Sequence, residues 1–345
     1  MIPLLLPHQA DASDYAYASG SFSVRRGLLI PIQELRRASE TGKIDGLIAA
    51  LNRSVYAPIA GDASAGDVLA RVEHTWRSFL EQASHDLPEK FLPYVLATLD
   101  EKEFAKAGLA EALLGGHAGT RSTGQSAEYT SYCLRIQAEG ASREILLESI
   151  FGSALSDGLV AADAGASASD AQTVFDFSFE ATLEKLATAY GHVSVTAYMG
   201  GLLKLMVAGH ALKMKLRGAS GIGAPLGRLL PFLKSDVREA LAVTVNRTQD
   251  IPWDSLQPVD LVPEASGYVL PVGRRYTAAE RMQMLEDALD GWLVARPEAA
   301  GFEAYGVPVV FAYLMEFRRE VWALRRLLKA SASAEVRMRE PGELS

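Results

Sequence analysis

Residues 310–329 (VFAYLMEFRREVWALRRLLK) place Val310, Leu314, Phe317, Val321, Leu324 and Leu328 at steps of 4, 3, 4, 3 and 4. Those steps put all six side chains on one face of an α-helix, a stripe that other elements must cover. Subtracting 112 from each number reaches Tyr198, Leu202, Leu205, Gly209, Leu212 and Leu216, five of which carry apolar side chains. A helical pattern that recurs in register at such a distance predicts a body of similar helical units, an architecture that suits scaffolds more than active sites.

The helix ends extend the comparison to three copies. Leu113-Leu114-Gly115-Gly116, Lys215-Leu216-Arg217-Gly218 and Leu327-Leu328-Lys329-Ala330 are separated by 216 − 114 = 102 and 328 − 216 = 112 residues. Each long helix is expected to stop at a small residue after an apolar pair. In the first copy Asp100, Glu101, Lys102 and Glu103 interrupt the seam, which reads as an exposed contact surface or a poor copy.

Composition narrows the function. With 49% apolar and 22% charged residues the 345-residue chain can bury a sizeable core. A net charge of −8 disfavours nucleic acid and direct docking on anionic lipid, since both need concentrated Lys and Arg. Cys133 stands alone, so no intramolecular disulfide forms and a reducing, cytoplasmic setting is expected. The opening MIPLLLPHQ lacks a basic flank and is too short for a signal peptide or a membrane span, so no direct membrane insertion is expected.

Helical periodicity and capping residues predict helices near residues 15–29, 44–51, 65–82, 93–114, 143–151, 178–190, 193–217, 235–245 and 277–295, followed by the long last helix with Pro308 in its first turn. Thr277 and Glu280 form a capping-box pair. Residues 117–140 are read as an extended connector. Within them Tyr132, Leu134 and Ile136 alternate with polar neighbours as in a strand, but a lone strand has nothing to pair with. The stretch AADAGASASDAQ from Ala161 reads as a loop, the proline-punctuated residues 252–271 as irregular, and the chain from Ser331 onward as frayed.

Chemistry-bearing patterns are sparse. The six histidines, at 8, 74, 85, 117, 192 and 210, show no metal-ligand spacing. Gly221, Gly223 and Gly227 follow a helix, lack a Lys-Ser/Thr ending and surround Pro225, so they read as a turn and not a phosphate loop. Neighbouring carboxylates such as Asp100-Glu101 and Glu286-Asp287 diverge on a helix, and no G-x-S-x-G elbow is present. No residue is therefore assigned a catalytic, cofactor or metal role. Arg318, Arg319, Arg325, Arg326 and Lys329 give the last helix a basic end, suited either to its negative C-terminus or to docking a partner.

Several stretches resemble one family. The context YAYASGSFSVRRGLL, beginning at Tyr15-Ala16-Tyr17, is similar to the opening helix of the family of C-type subunits of V/A-type (vacuolar/archaeal-type) rotary ATPases, known as the d-type in eukaryotic complexes. The segment IDGLIAALNRSVYAP at 44–58 resembles that family's short apolar helix followed by a hydroxyl residue and Tyr. Leu212-Lys213-Met214-Lys215-Leu216-Arg217 and Leu324-Arg325-Arg326-Leu327-Leu328-Lys329 are similar to its helix termini. The chain departs from the family at Leu109, Ala211 and Ala323, where members often carry Asn.

The resemblance implies an all-α funnel of three pseudo-threefold-related lobes. It is divided as an N-terminal extension (1–14), lobe 1 (15–120), lobe 2 (121–221), lobe 3 (222–331) and a C-terminal tail (332–345). It further implies a non-catalytic rotor component of the central stalk, without cofactor. Such a component joins the shaft, made of the D and F proteins of the complex, to the membrane proteolipid ring, and so links ATP synthesis or hydrolysis to ion transport. Its place would be cytoplasmic, peripheral on the membrane through the ring. The alternative reading is a stand-alone helical-repeat adaptor between proteins.

Overall fold

The computed structural model describes residues 12–31, 34–35, 44–114, 125–139, 150–216, 230–272, 276–299 and 306–339. The protein is all-α, and no strand occurs among the described residues. In chain order the helices are α1 (Ala16–Arg26), α2 (Ile44–Leu51), α3 (Ala65–Asp86), α4 (Phe91–Leu113), α5 (Gln125–Glu139), α6 (Ile150–Asp163), α7 (Ala168–Tyr190), α8 (Val193–Leu216), α9 (Ser235–Gln249), the single turn α10 (Pro258–Leu261), α11 (Ala278–Ala299) and α12 (Val307–Arg339). Local chemistry sets several of their ends. The Thr277 hydroxyl accepts from the Glu280 N–H at 3.2 Å while the Thr277 N–H donates back to the Glu280 carboxylate at 2.8 Å, the expected capping box. An equivalent pair, Ser64 and Asp67, opens α3. Gly191 closes α7 at φ 84°, a left-handed position that favours glycine, with its N–H turned back to the Ala187 and Thr188 carbonyls.

The chain divides into two compact units whose boundary falls within α4, between Ala97 and Thr98. The terminal unit joins the described parts of Pro7–Ala97 and Gly301–Ser345. Here α12 packs against α3 and α1. All six seam residues, Val310, Leu314, Phe317, Val321, Leu324 and Leu328, are buried, as the spacing requires. Val68, Val72, Trp76 and Phe79 of α3 and Ala18 and Phe22 of α1 are buried with them in one aromatic-rich core, where Phe317 meets Trp76 and Phe79 and Tyr313 stacks on Phe22.

The central unit lies within Thr98–Ala300 and stacks α6 on α7, α7 on α8, and α8 on both α9 and α11. Among the described residues α8 is the one helix long and apolar enough to cross a membrane by length and composition. It buries Val195, Tyr198, Met199, Val207, Ala208, Ala211 and Leu212 against its neighbours. The proline-rich segment after α9 is irregular apart from α10 and a 3-10 turn at Pro263–Ala265. Side chains pin it in place. The fully buried Arg281 donates to the Leu256 carbonyl at 2.7 Å and the Pro271 carbonyl at 2.8 Å, and the Gln257 side chain bonds both backbone groups of Leu270.

Three sequence expectations are corrected. Residues 125–139 of the expected extended connector form helix α5, and the rest of it, 117–124 and 140, lies outside the described residues. The Tyr132/Leu134/Ile136 alternation misled because the buried residues are the adjacent Tyr132 and Cys133, while Leu134 is exposed. Contact with α4 holds the polar face, where the Tyr129 hydroxyl donates to Glu101 at 2.6 Å and the Thr130 hydroxyl to Glu111 at 2.7 Å. The loop expected from Ala161 shrinks to residues 164–167, because the small residues there serve close helix packing. A Cβ on Gly158 would sit 3.1 Å from the Ala171 carbonyl oxygen, and Ala161 and Ala171 are both buried. Of the helix expected at 143–151 only Ile150 and Phe151 are described, at the start of α6. The last helix neither stops at Ala330 nor frays from Ser331, but continues to Arg339.

The 112-residue register is not matched by burial. Leu202 and Leu205 are half-buried and Leu216 is 47% exposed, whereas all their counterparts in α12 are buried. Leu114, at the end of the first copy, is 66% exposed. The physical reason is that α8 is covered by α7, α9 and α11 on several sides, so its buried set is wider than one seam. Gly115, Gly116, Gly218 and the turn at 221–227 lie outside the described residues.

The α4–α5 crossing offers a direct test. A Cβ on Gly108 would lie 2.6 Å from the Tyr129 Cβ and 2.8 Å from the Thr130 backbone nitrogen. Gly108→Ala gains helix propensity, but overpacking at a backbone contact should outweigh it and destabilise the central unit by about 1–3 kcal/mol. Urea unfolding reads the change, and a variant as stable as wild type would show that α5 does not sit on α4 in solution.

Candidate functional site

The basic end of α12 was the one cluster that the sequence offered for docking, and the structure divides it. Arg325 is tied down: its Nε and Nη2 donate to the two Glu73 carboxylate oxygens at 2.8 and 2.9 Å, a bidentate pair in which the side chains are only 19% and 28% exposed. Reversing Arg325 would set like charges against each other inside the terminal unit, so this residue holds α12 to α3. Arg326 faces outward, with its guanidinium 5.8 Å from the Trp322 ring centroid, and the two form an exposed cationic and aromatic patch. Arg318 and Arg319 are half-buried, and Lys329 is exposed.

On the opposite side α12 is joined to the start of the chain. Arg26, at the end of α1, makes a bidentate pair with Glu316, with Nε to Oε2 at 2.7 Å. The Ile30 N–H donates to Glu320 at 2.6 Å, and the Gly306 N–H donates to the Ser19 hydroxyl at 2.9 Å. Glu320 is buried beside the phenols of Tyr56 and Tyr313. Burial pushes its carboxyl up to about 7, against the opposing influence of the neighbouring Tyr56 phenol and the Ile30 N–H.

The sign of the resulting pH dependence follows from linkage. Between the unfolded value of 4.5 and about 7 the folded state binds the proton more tightly, so the contribution of this group to stability falls as pH rises through that window. Glu320→Gln keeps an acceptor for Ile30 without the charge. It should therefore flatten this loss and stabilise the protein at pH 8 by on the order of 2–3 kcal/mol relative to wild type. Thermal unfolding of both proteins at pH 5 and pH 8 tests this, and an unchanged pH slope would refute it.

A cleft of about 370 Å³ opens beside the α1, α3 and α12 core, lined from these three helices by Arg25, Arg71 and Gln82 over Phe79, Tyr313 and Phe317. In the charged run at 100–103, Lys102 is turned inward while Glu103 is exposed. Lys102 Nζ contacts Glu180 at 2.9 Å and Asp176 at 3.3 Å, and Lys106 reaches Asp176 as well. Burial works against the Lys102 ammonium, but the two carboxylates outweigh it and hold its pKa above the usual value. The sequence missed this network because its bonded partners are 70 and 78 residues apart.

The histidines do not converge. His192 packs against Tyr190 and His210 against Phe177, His74 and His85 are exposed, and His8 and His117 lie outside the described residues. Among the described residues no three His, Cys, Asp or Glu side chains are grouped to hold a metal. Cys133 is buried, and burial pushes its thiol up to about 12, so it is a poor nucleophile. No protein-family model matches the chain, and no curated protein matches it.

Proposed function

We propose that this protein is a non-catalytic central-stalk component of a V/A-type rotary ATPase. In this reading three pseudo-threefold helical lobes, at 15–120, 121–221 and 222–331, form a funnel. The funnel receives the shaft of D and F proteins and sits on the membrane proteolipid ring, transmitting torque between ATP chemistry and ion movement.

One observation carries the proposal. The opening YAYASGSFSVRRGLL and the closing helix, which hold much of the family resemblance from opposite ends of the sequence, pack as one body through Phe22–Tyr313, Arg26–Glu316 and Ile30–Glu320. Contacts spanning 290 residues lock the ends of the chain together. Buried helix contacts of this density resist deformation, which a torque-bearing element needs and a flexible linker lacks. Ion pairs that tie helix to helix, Arg325 to Glu73 and Lys102 to Glu180, also suit a structural role.

The docking expectation narrows to the exposed Arg326 and Lys329, with Trp322 beside Arg326, since Arg325 is engaged with Glu73. Affinity purification of tagged protein from its native membranes is expected to recover shaft proteins and the proteolipid. Arg326→Glu should cut that recovery severalfold while leaving the unfolding midpoint unchanged, because the side chain is exposed. Recovery of neither sector by the wild-type protein would reject the rotor reading and favour the stand-alone helical adaptor.

A further inference from the structure

The cleft of the terminal unit has a chemistry that a rotor component has no need of. Its floor is aromatic, from Phe79 and Phe317, with Tyr313 beside them. Its polar lining carries two guanidiniums, Arg25 and Arg71, and contains no carboxylate, although the whole chain has a net charge of −8. Concentrating cations on an apolar floor in an acidic protein prepares the place for an anion with an apolar body.

The partners of these groups leave binding capacity. Arg71 is oriented by two backbone carbonyls, with Nε to Tyr56 at 3.0 Å and Nη2 to Ala57 at 2.9 Å, so its Nη1 has no partner among the described residues. Arg25 reaches only the Gln82 side-chain oxygen, through long contacts of 3.4 Å from both terminal nitrogens. Tyr313 is 1% exposed, and its hydroxyl has no hydrogen-bond partner among the described residues. Burial raises the phenol's pKa, the charge of Arg25 opposes that rise and the Glu320 carboxylate adds to it, so the hydroxyl stays a proton donor on which both charged groups act. A buried hydroxyl without a partner is costly, and a ligand oxygen would relieve that cost.

The helix ends select the charge. Arg25 lies in the last turn of α1, where the helix dipole is negative, and the α3 and α12 residues that line the cleft come from helix interiors. No helix N-terminus is present among the lining residues to hold a phosphate dianion. Guanidinium forks pair in plane with a carboxylate, and a phenol adds a neutral donor to it.

We infer that this cleft is a binding site for a monocarboxylate with an aromatic or other apolar body. The carboxylate sits between Arg25 and Arg71 within reach of the Tyr313 hydroxyl, and the apolar body lies on Phe79 and Phe317. The inference rests on the terminal unit alone and stands apart from the rotor proposal. The same chemistry is available from a free organic acid or from the C-terminal carboxylate of a partner chain ending in an apolar residue.

Titration calorimetry on the full-length protein tests it with two acids, 3-phenylpropionate and N-acetyl-Gly-Phe, each compared with its neutral amide. At least one acid is expected to bind saturably, and at least tenfold more tightly than its amide. Tighter binding of 3-phenylpropionate assigns the site to a free acid, and tighter binding of the peptide acid assigns it to a chain end. Arg25→Gln should weaken the acid at least tenfold with no change in the unfolding midpoint. Tyr313→Phe should weaken it severalfold while leaving stability equal or higher, which separates a lost contact from a lost fold. Equal affinity for acid and amide, saturable binding of neither acid, or wild-type affinity in Arg25→Gln would each overturn the inference.

Discussion

Replacing Phe317 with Ala is expected to cost about 3–5 kcal/mol of stability, among the larger effects a single side chain can have here. The ring is 1% exposed and stands at the centre of an aromatic cluster, with ring centroids 5.1 Å from Trp76, 4.8 Å from Phe79, 6.0 Å from Tyr313 and 6.1 Å from Tyr56. Deleting it removes the transfer free energy of the ring and leaves a cavity that four neighbouring rings can only partly fill. Phe317→Leu keeps much of the volume and should cost roughly 1–2 kcal/mol. Urea unfolding, followed with hydrogen exchange on α12 and α3, reads both variants. A loss below about 1 kcal/mol in the Ala variant would mean that the seam is not the core of the terminal unit.

The second large effect belongs to the central unit. Lys102→Met leaves the Glu180 carboxylate, 3% exposed, without the ammonium that it contacts at 2.9 Å, and leaves Asp176 with Lys106 alone. Stranding a buried charge in this way should cost about 3–5 kcal/mol. The double variant Lys102→Met/Glu180→Met removes both charges and should recover most of the loss, since a well-packed apolar pair of similar volume often matches a buried ion pair. Chemical denaturation of wild type, single and double variants completes the comparison. A double variant less stable than the single would show that the side chains act by some means other than their mutual charge.

Both predictions bear on what could be read from residues alone. The six-residue stripe of the last helix was legible because its period is local, and each member is buried as the period demands. The Thr277–Glu280 capping box was legible for the same reason, as were the ends of α2 and the turn at Gly191. Helix α5 was not legible. Its sequence alternates like a strand, and its polar face becomes helical beside Glu101, Glu111 and Gly108 of α4. The small residues near Ala161 carried two meanings, flexible loop or close helix contact, and only the neighbouring chain selects between them.

The candidate sites divide along the same line. The sequence showed that cations gather at the end of α12, but not that Arg325 is bound to Glu73 while Arg326 faces outward beside Trp322. The cleft could not be anticipated, since Arg25, Arg71 and Tyr313 come from three helices far apart in the chain. Nor could the displaced pKa of Glu320, because desolvation depends on which side chains close over the carboxyl.

Periodicity, capping residues and composition determined that this chain is helical, where most of its helices begin, and which stripe of the last one must be covered. These depend on interactions within a few residues, and the sequence states them directly. The tertiary structure decided which charges are buried and paired, which are left at a surface or a cleft, and that the apparent 112-residue repeat is not a repeat in burial. The reason is physical: burial and electrostatic pairing depend on distances between side chains brought together from distant segments, and those distances exist only once the helices have packed.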